Sequence, residues 1–350
     1  MSTLRVVLDP MLAPGGRYTE ALTRALIATA PPGSDVAGMV AASTEDEYER
    51  IAFRLPGLVE LHKSVLALRE LRAAWQRGVT GSARGMVHAT DLLAPLRRHD
   101  RSRAPGTQTV VTIRDARPWT GAEALPSGDA AWQRAMGRRA ERFADAVVVP
   151  SHAVAERLAD ALQLGDRIRV IAGASISDPL PVDAEARAER MGLPPRYIAV
   201  EDLADERIAR VGDALPIIVL GMTASAGGET VGAGSDGPRR VDVSDPCDLA
   251  VALGRAAVFA APDLRDGLGM GVLQALHLGV PVVHAASAEI TELTAEAGVS
   301  ASAEELPEAI RAVLDDPALR QRLSVQGRDR AKAFSWRDSA EKVWQLHADL

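Results

Sequence analysis

Between Ala256 and Leu293 the chain reads AAVFAAPDLRDGLGMGVLQALHLGVPVVHAASAEITEL, and this run holds its most chemically able arrangement. Gly267, Gly269 and Gly271 open a helix directly after an apolar strand, Val258 to Ala261. Residues without a Cβ let backbone N–H groups close on an anion, and the positive end of a helix dipole favours negative charge at the same place. The chemistry so suggested is binding of a phosphate-bearing ligand. A GxGxG run also serves to pack a helix tightly on a strand, so both readings stand at this point. A second strand, glycine turn and helix begin the chain: Leu4 to Leu8, Gly15 and Gly16, then Tyr18, Leu22, Ala25 and Leu26 at helical spacing.

Such loops are positioned by a parallel sheet. Continuous Val and Ala runs joined through helices, as at Val258 to Ala261 and Val280 to His284, mark strands buried on both faces. In open α/β sheets, ligands collect outside the carboxyl ends of those strands. The alternation runs along the whole chain. Strands are predicted at 35–40, 145–150 and 167–171, and MVHATD (86–91) and TQTVVTIRDARPW (107–119) each end an apolar strand in a polar loop. Ser151 is placed to cap a helix. The tract AGASISDPLPVD, without periodicity, is the best linker, and beyond it strands return at 196–200, 216–221 and 239–243. An amphipathic helix is predicted over 58–75, with Leu61, Val65, Leu68 and Leu71 on one face and Lys63, Arg69 and Arg72 off it. It would pack on the sheet or lie on a membrane surface. From Ser302 the pattern is helical. Two βα-repeating domains with a cleft between them follow.

Composition narrows the function classes. At 350 residues the chain suits two domains of ordinary size, and 47% hydrophobic with 25% charged residues is the balance of a soluble globular protein. With 3% aromatic residues, stacking platforms for nucleic acid are not expected. One cysteine, Cys247, allows no internal disulfide, and 7 scattered histidines without HExxH spacing point to no metal. No apolar run approaches membrane-spanning length, and a cytoplasmic location is the expectation. There is no GxSxG elbow around Ser151, and Gly15-Gly16 is not a dinucleotide fingerprint. Residues 1–150 hold 20 Lys+Arg against 16 Asp+Glu, and residues 151–350 hold 20 against 31. Much of the basic excess lies in RRHDRSR (97–103) and around Arg134, Arg138, Arg139 and Arg142. Each cluster alone reads as a solvated face; together they suggest an anionic or membrane-associated partner for the first half.

The segments then show a likeness. PGGRYTEALTRAL, VVTIRDARPW, RFADAVVVPSHAVAERL, VSDPCDLAVALGRAAVFAAPDLRDGLGMGVLQALHLGVPVV and FSWRDSAEKV occur in an order and spacing that resemble the family 4 glycosyltransferases. That resemblance implies the GT-B fold: two Rossmann-like βαβ domains facing a cleft, with the C-terminal helix crossing back to the first. The boundaries so implied are an acceptor-side domain 1–172, a linker 173–183, a nucleotide-sugar domain 184–334 and a returning helix 335–350. It also implies transfer of a sugar from a nucleotide sugar, with retention and without a metal or cofactor. The acceptor would be a saccharide, such as a cell-envelope polysaccharide or lipid-linked sugar, with peripheral membrane contact through the basic first domain.

Site roles carry over by the same resemblance. Gly15, Gly16, Gly269, Met270 and Gly271 would offer backbone N–H groups to the donor, Gln274 would meet the ribose, and Asp266 the transferred sugar. Arg114 and Asp115 would face the donor sugar and acceptor. Four positions depart from the family pattern, one of them Arg114, which stands where the family has a histidine. Gln274 stands where the family has a glutamate, and exchanges a charge-assisted bond to the ribose diol, worth about 1.5–3 kcal/mol, for a neutral one of about 0.5–1.5. Glu201 stands at a glycine position and Glu206 at a basic one, leaving Arg207 as the cation beside the diphosphate. Acids there oppose a leaving pyrophosphate. A catalytically silent GT-B scaffold, binding a partner glycosyltransferase or a sugar, is the alternative those departures favour.

Overall fold

The computed structural model describes residues 2–350 except 13–15, 80–84, 100–105, 122–126, 176–179, 202–207, 209–210, 212–213, 222–236 and 265–266. The chain divides into two units, one made of residues 1–173 with 336–350 and the other of residues 174–335.

The first unit is built on β1 (Ser2–Val7), β2 (Ser34–Ala42), β3 (Leu61–Ala67), β4 (Met86–Ala89), β5 (Gln108–Thr112), β6 (Ala146–Val149) and β7 (Ile168–Val170). They form one seven-stranded sheet in the order β3-β2-β1-β4-β5-β6-β7, parallel throughout. Residues of β5 and β6 are buried without alternation, as the Val-rich runs require of strands covered on both faces. The cover comes from α1 (Asp9–Leu12), α2 (Arg17–Ala28), α3 (Glu45–Arg54), α4 (Leu68–Arg77), α5 (Arg117–Thr120), α6 (Ser127–Phe143) and α7 (His152–Ala161). Tyr18, Leu22, Ala25 and Leu26 form the buried face of α2, as their spacing predicts. Ser151 caps α7 by accepting from the Val154 N–H at 3.2 Å.

One helix prediction is corrected. Residues 58–75 are not a continuous amphipathic helix: 61–67 form edge strand β3, paired with β2 from Gly38–Leu61 onward, and α4 starts at Leu68. The Glu70 carboxylate accepts from the Ala67 N–H at 3.0 Å, which satisfies a donor at the helix start and sets its boundary. The expected stripe therefore does not exist. Val65 is 95% exposed on the strand, while Leu71 and Trp75 are buried on the helix.

The second unit contains α8 (Ala184–Arg190), β8 (Ile198–Val200), β9 (Ile217–Gly221), β10 (Arg239–Asp242), α9 (Pro246–Gly254), β11 (Val258–Ala261) and α10 (Met270–Leu278). It continues through β12 (Val282–Ala285), α11 (Ala288–Thr294), β13 (Gly298–Ala301), α12 (Leu306–Asp315) and α13 (Pro317–Ala331). Its parallel strands run in the order β10-β9-β8-β11-β12-β13. The edge strand β13 carries no apolar run and escapes a hydrophobicity reading.

The last helix, α14 (Trp336–Asp349), belongs to the first unit, where it packs on α2. Ala340, Val343, Trp344 and Leu346 are its buried face. The Trp344 Nε1–H donates to the Leu26 carbonyl at 3.1 Å, and the Ser339 hydroxyl donates to the Ala172 carbonyl at 2.7 Å. The crossing expected of FSWRDSAEKV is thus present.

Candidate functional site

In the second sheet the chain winds to opposite sides of the β8–β11 pair, so the crevice at their carboxyl ends is the switch point where α/β sheets take ligands. β8 delivers Glu201 there and β11 delivers the glycine loop. Gly269 caps α10 in the left-handed region (φ 68°, ψ 29°), and a Cβ on it would overlap the Leu293 side chain. The glycine-lined amino end of α10 expected from the spacing is therefore real. It is already met by an anion of the protein itself: the Glu201 carboxylate lies against Gly271, where any Cβ would overlap it. A carboxylate in a helix's first turn stabilises it by about 0.3–1 kcal/mol.

Gln274, one turn further along, is fully buried. Its Oε1 accepts from the Ser175 hydroxyl at 2.7 Å, so the oxygen expected to meet a ribose is engaged by a residue whose part the sequence does not announce. Met270 is buried in the same turn. Asp266, Arg207 and Glu206 lie outside the described residues, as does Gly15.

The first unit places Gly16, Arg114 and Asp115 near the carboxyl edge of its sheet. Gly16 precedes α2, and a Cβ there would collide with the carbonyls of Pro10 and Met11, so close packing on α1 requires this glycine. Arg114 follows β5. Its Nε–H donates to the Thr90 carbonyl at 3.1 Å, and its guanidinium stands 5.7 Å from the ring of Tyr18. Burial pushes the Tyr18 hydroxyl up to about 12, against the opposing pull of Arg114. Asp115 turns back on its own loop. One oxygen accepts from the Arg117 N–H at 2.8 Å and the other from the Arg117 guanidinium at 3.0 Å.

Two acids at this edge carry no motif that marks them in the sequence. Asp9 follows β1 and Asp91 follows β4, each the last letter of a strand segment, VVLD and MVHATD. Burial, reinforced by Asp91, raises the Asp9 carboxyl to about 6, with the Ala41 N–H acting against it. Burial also raises Asp91, with Arg114 opposing. Two arginines of the basic cluster on α6 are engaged internally. Arg134 donates to the Pro118 carbonyl at 3.0 Å and Arg139 to that of Leu96. Among the described residues no group of three or more His, Cys, Asp or Glu side chains converges to hold a metal, and no helix is long and apolar enough to cross a membrane.

Comparison with known proteins now gives this geometry a family. Residues 15–174 match the family described as Glycosyltransferase Family 4, and residues 242–330 match Glycosyl transferases group 1. No curated protein matches. Among solved structures, sucrose-phosphate synthase from Thermosynechococcus elongatus superposes with a TM-score of 0.71 at 19% identity, covering 100% of this chain and 99% of that one. HepE of Anabaena in complex with UDP-glucose gives a TM-score of 0.71 at 15% identity, with 100% of both chains covered. WaaG, a glycosyltransferase involved in lipopolysaccharide biosynthesis, gives 0.66 at 15%, covering 97% of this chain and 98% of that chain. Their fold is the GT-B pair of Rossmann-like sheets seen in both units here. With the family 4 match in the first unit and the group 1 match in the second, in that order, the chain is a family 4-like glycosyltransferase that moves a sugar from a nucleotide sugar.

Proposed function

We propose that the protein transfers a hexose from a UDP-sugar to a saccharide acceptor with retention at the anomeric carbon. The observation that carries the donor half of this reading is the amino end of α10, formed by left-handed Gly269 and side-chain-free Gly271 at the switch point of the second sheet. A diphosphate there meets backbone N–H groups and the positive end of the dipole. UDP is chosen because HepE, of the same fold, is seen with UDP-glucose. In this reading Met270, Gly15 and Gly16 also offer the donor their N–H groups, and Gln274 serves the ribose, Asp266 the transferred sugar and Arg207 the phosphates. Arg114 and Asp115 serve the sugar and the acceptor. The bond from the anomeric carbon to the phosphate oxygen breaks, the bond to the acceptor oxygen forms on the same face, and the acceptor's proton passes to the leaving phosphate. A lipid-linked or cell-envelope saccharide on the inner face of the membrane is the acceptor that the basic first half favours. Flotation with anionic vesicles that weakens steeply with added salt supports it, and indifference to salt counts against it.

A thermal-shift series with UDP, GDP, ADP and their hexose conjugates tests the donor. A ligand held at a hundred times its Kd stabilises by about 2.7 kcal/mol, so UDP and one UDP-hexose should raise the melting temperature while GDP and ADP do not. A second reading, a non-catalytic GT-B scaffold, draws on two observations: the Glu201 carboxylate lies against Gly271, and Ser175 holds the Gln274 oxygen. No shift with any nucleotide establishes that second reading.

A further inference from the structure

The outer edge of the first sheet holds a cavity lined by none of the site residues described above. β3 pairs with β2 from Gly38–Leu61 to Val40–Lys63, and the pairing resumes only at Ala42–Ala67. Ala41 alone therefore stands against Ser64, Val65 and Leu66, and the extra residues arch β3 off its neighbour. The arch, β2 and α4 enclose about 310 Å³, walled by Met39, Leu66, Leu71 and Trp75.

An arch without support would settle onto α4 and close this space, but two ties hold it. The Leu66 N–H donates to the Ser64 hydroxyl oxygen at 3.0 Å within the arch. At its foot the Lys63 ammonium lies 3.2 Å from the Glu45 carboxylate and 4.0 Å from the centroid of the Tyr48 ring, both on α3. The cavity is thus preformed, as small-molecule sites are, and its volume falls at the lower end of their range of about 300–1,000 Å³.

The lining selects the class of ligand. Leu71 and Trp75 are buried and Met39 and Leu66 half-buried, so the walls are apolar and hold water poorly. Charges at the mouth come as opposites: Lys63 stands with Glu45, and His62 lies 3.2 Å from Glu60 and 3.4 Å from the Arg5 guanidinium. A charged ligand would lose its hydration there without gaining a counter-ion. The Trp75 ring and the Met39 thioether favour a flat ring over a chain, since both make directional contacts with aromatic edges and faces. At about 30 Å³ for each heavy atom the space admits about ten of them.

We propose that this cavity binds an uncharged aromatic molecule of one or two fused rings. The rings lie between the Met39 and Leu66 side chains of the sheet and Leu71 and Trp75 of α4, and a hydroxyl or N–H on them points to the mouth at Ser64 and His62. The site is independent of the glycosyl-transfer reading and stands or falls without it.

NMR of the full chain carrying isotope-labelled tryptophan tests it, because each of the 5 tryptophans gives its own indole N–H signal and Trp75→Phe identifies that of Trp75. Titration with 2-naphthol should move the Trp75 signal furthest and saturably. Its affinity should exceed those of 2-naphthoate and of 1-decanol, which has as many heavy atoms, by about fivefold or more. Leu66→Trp and Ser64→Leu each fill the space from the edge strand, and either one that melts as a folded protein should weaken 2-naphthol about tenfold. No saturable movement of the Trp75 signal, naphthoate or decanol bound as well as naphthol, or unchanged affinity in a folded filling variant overturns the proposal.

Discussion

Asp9 and Glu201 hold corresponding places in two sheets of one strand order, each just past the central strand from which the winding reverses. Their surroundings are opposite. Glu201 rests on the first turn of α10, where the helix dipole favours its charge. Asp9 is enclosed beside a second acid with one oxygen unpaired, and its charge is opposed. The difference comes from the loop at the end of the neighbouring strand. β11 runs through glycines into a helix of nine residues, whereas β4 runs into a polar turn headed by Asp91. One fold position thus makes a carboxylate either a cap or a cost, and the next strand's loop decides which.

The sharpest way to separate the two units is to delete residues 336–350. Val343, Trp344 and Leu346 are buried in the first unit, and at about 1.5–3 kcal/mol for each large apolar side chain their loss costs it about 5 kcal/mol or more. All 5 tryptophans, at 75, 119, 132, 336 and 344, lie in that unit, so fluorescence of the remaining three reports it alone. Its transition should fall by about 10 °C or more, with the far-ultraviolet transition of the second unit unmoved. Unchanged fluorescence melting would contradict the bracing role of α14.

Acid should also strike the first unit. His88 and His347 are buried with ring centroids 5.7 Å apart, His88 has no partner on either nitrogen, and Gln108 bonds only the Nδ1 of His347, at 2.9 Å. Burial lowers His88 from 6.5 to about 4, and burial with the neighbouring His88 lowers His347 to about 3. The unfolded chain then binds more protons, so their contribution is whole above pH 6.5 and is lost as pH falls through about 4 and then 3. For His88 alone this reaches about 3 kcal/mol. Denaturant midpoints by tryptophan fluorescence should decline over that window, and His88→Leu should flatten the decline; a slope of opposite sign excludes neutral buried histidines.

Asp9 works in the reverse sense. Its carboxyl titrates at about 6 when folded and 3.8 when unfolded, so the folded state binds the extra proton and the penalty, present above pH 6, vanishes below 3.8. Asp9→Asn should therefore stabilise the first unit by about 2–3 kcal/mol at pH 8 and by nothing measurable at pH 3.5. Equal urea midpoints for variant and wild type at pH 8 would remove the contrast with Glu201.

The smallest effect is expected at Glu201. Glu201→Gly clears the amino end of α10 and should tighten UDP binding about tenfold, or about 1.4 kcal/mol, while the second unit loses about 0.3–1 kcal/mol with the cap. Gln274→Glu alone should change UDP affinity less than about threefold, because Ser175 already donates to that oxygen at 2.7 Å and Glu201 still lies against Gly271. Calorimetry on both variants orders the two departures, and weaker binding by Glu201→Gly means that this carboxylate assists the donor.

The sequence by itself determined the inner strands of both sheets, the glycine-opened helix at Gly269 and Gly271, the cap at Ser151 and the return of the last helix, because Val and Ala runs, turn glycines and a periodic face act locally or through a strong repeat. Residues 61–67 escaped it: their spacing also suits a helix, and only pairing with β2 makes them a strand. Asp9, Asp91 and Ser175 escaped for a related reason. An acid ending VVLD looks like any strand terminus, and its significance arises when the fold buries it, leaves one oxygen unpaired and brings Asp91 from 82 positions away. The contact of Glu201 with Gly271 joins positions 70 residues apart. Which charge meets which dipole was therefore decided by tertiary structure, since burial and long-range proximity set the energy of a charge and neither is written in local sequence.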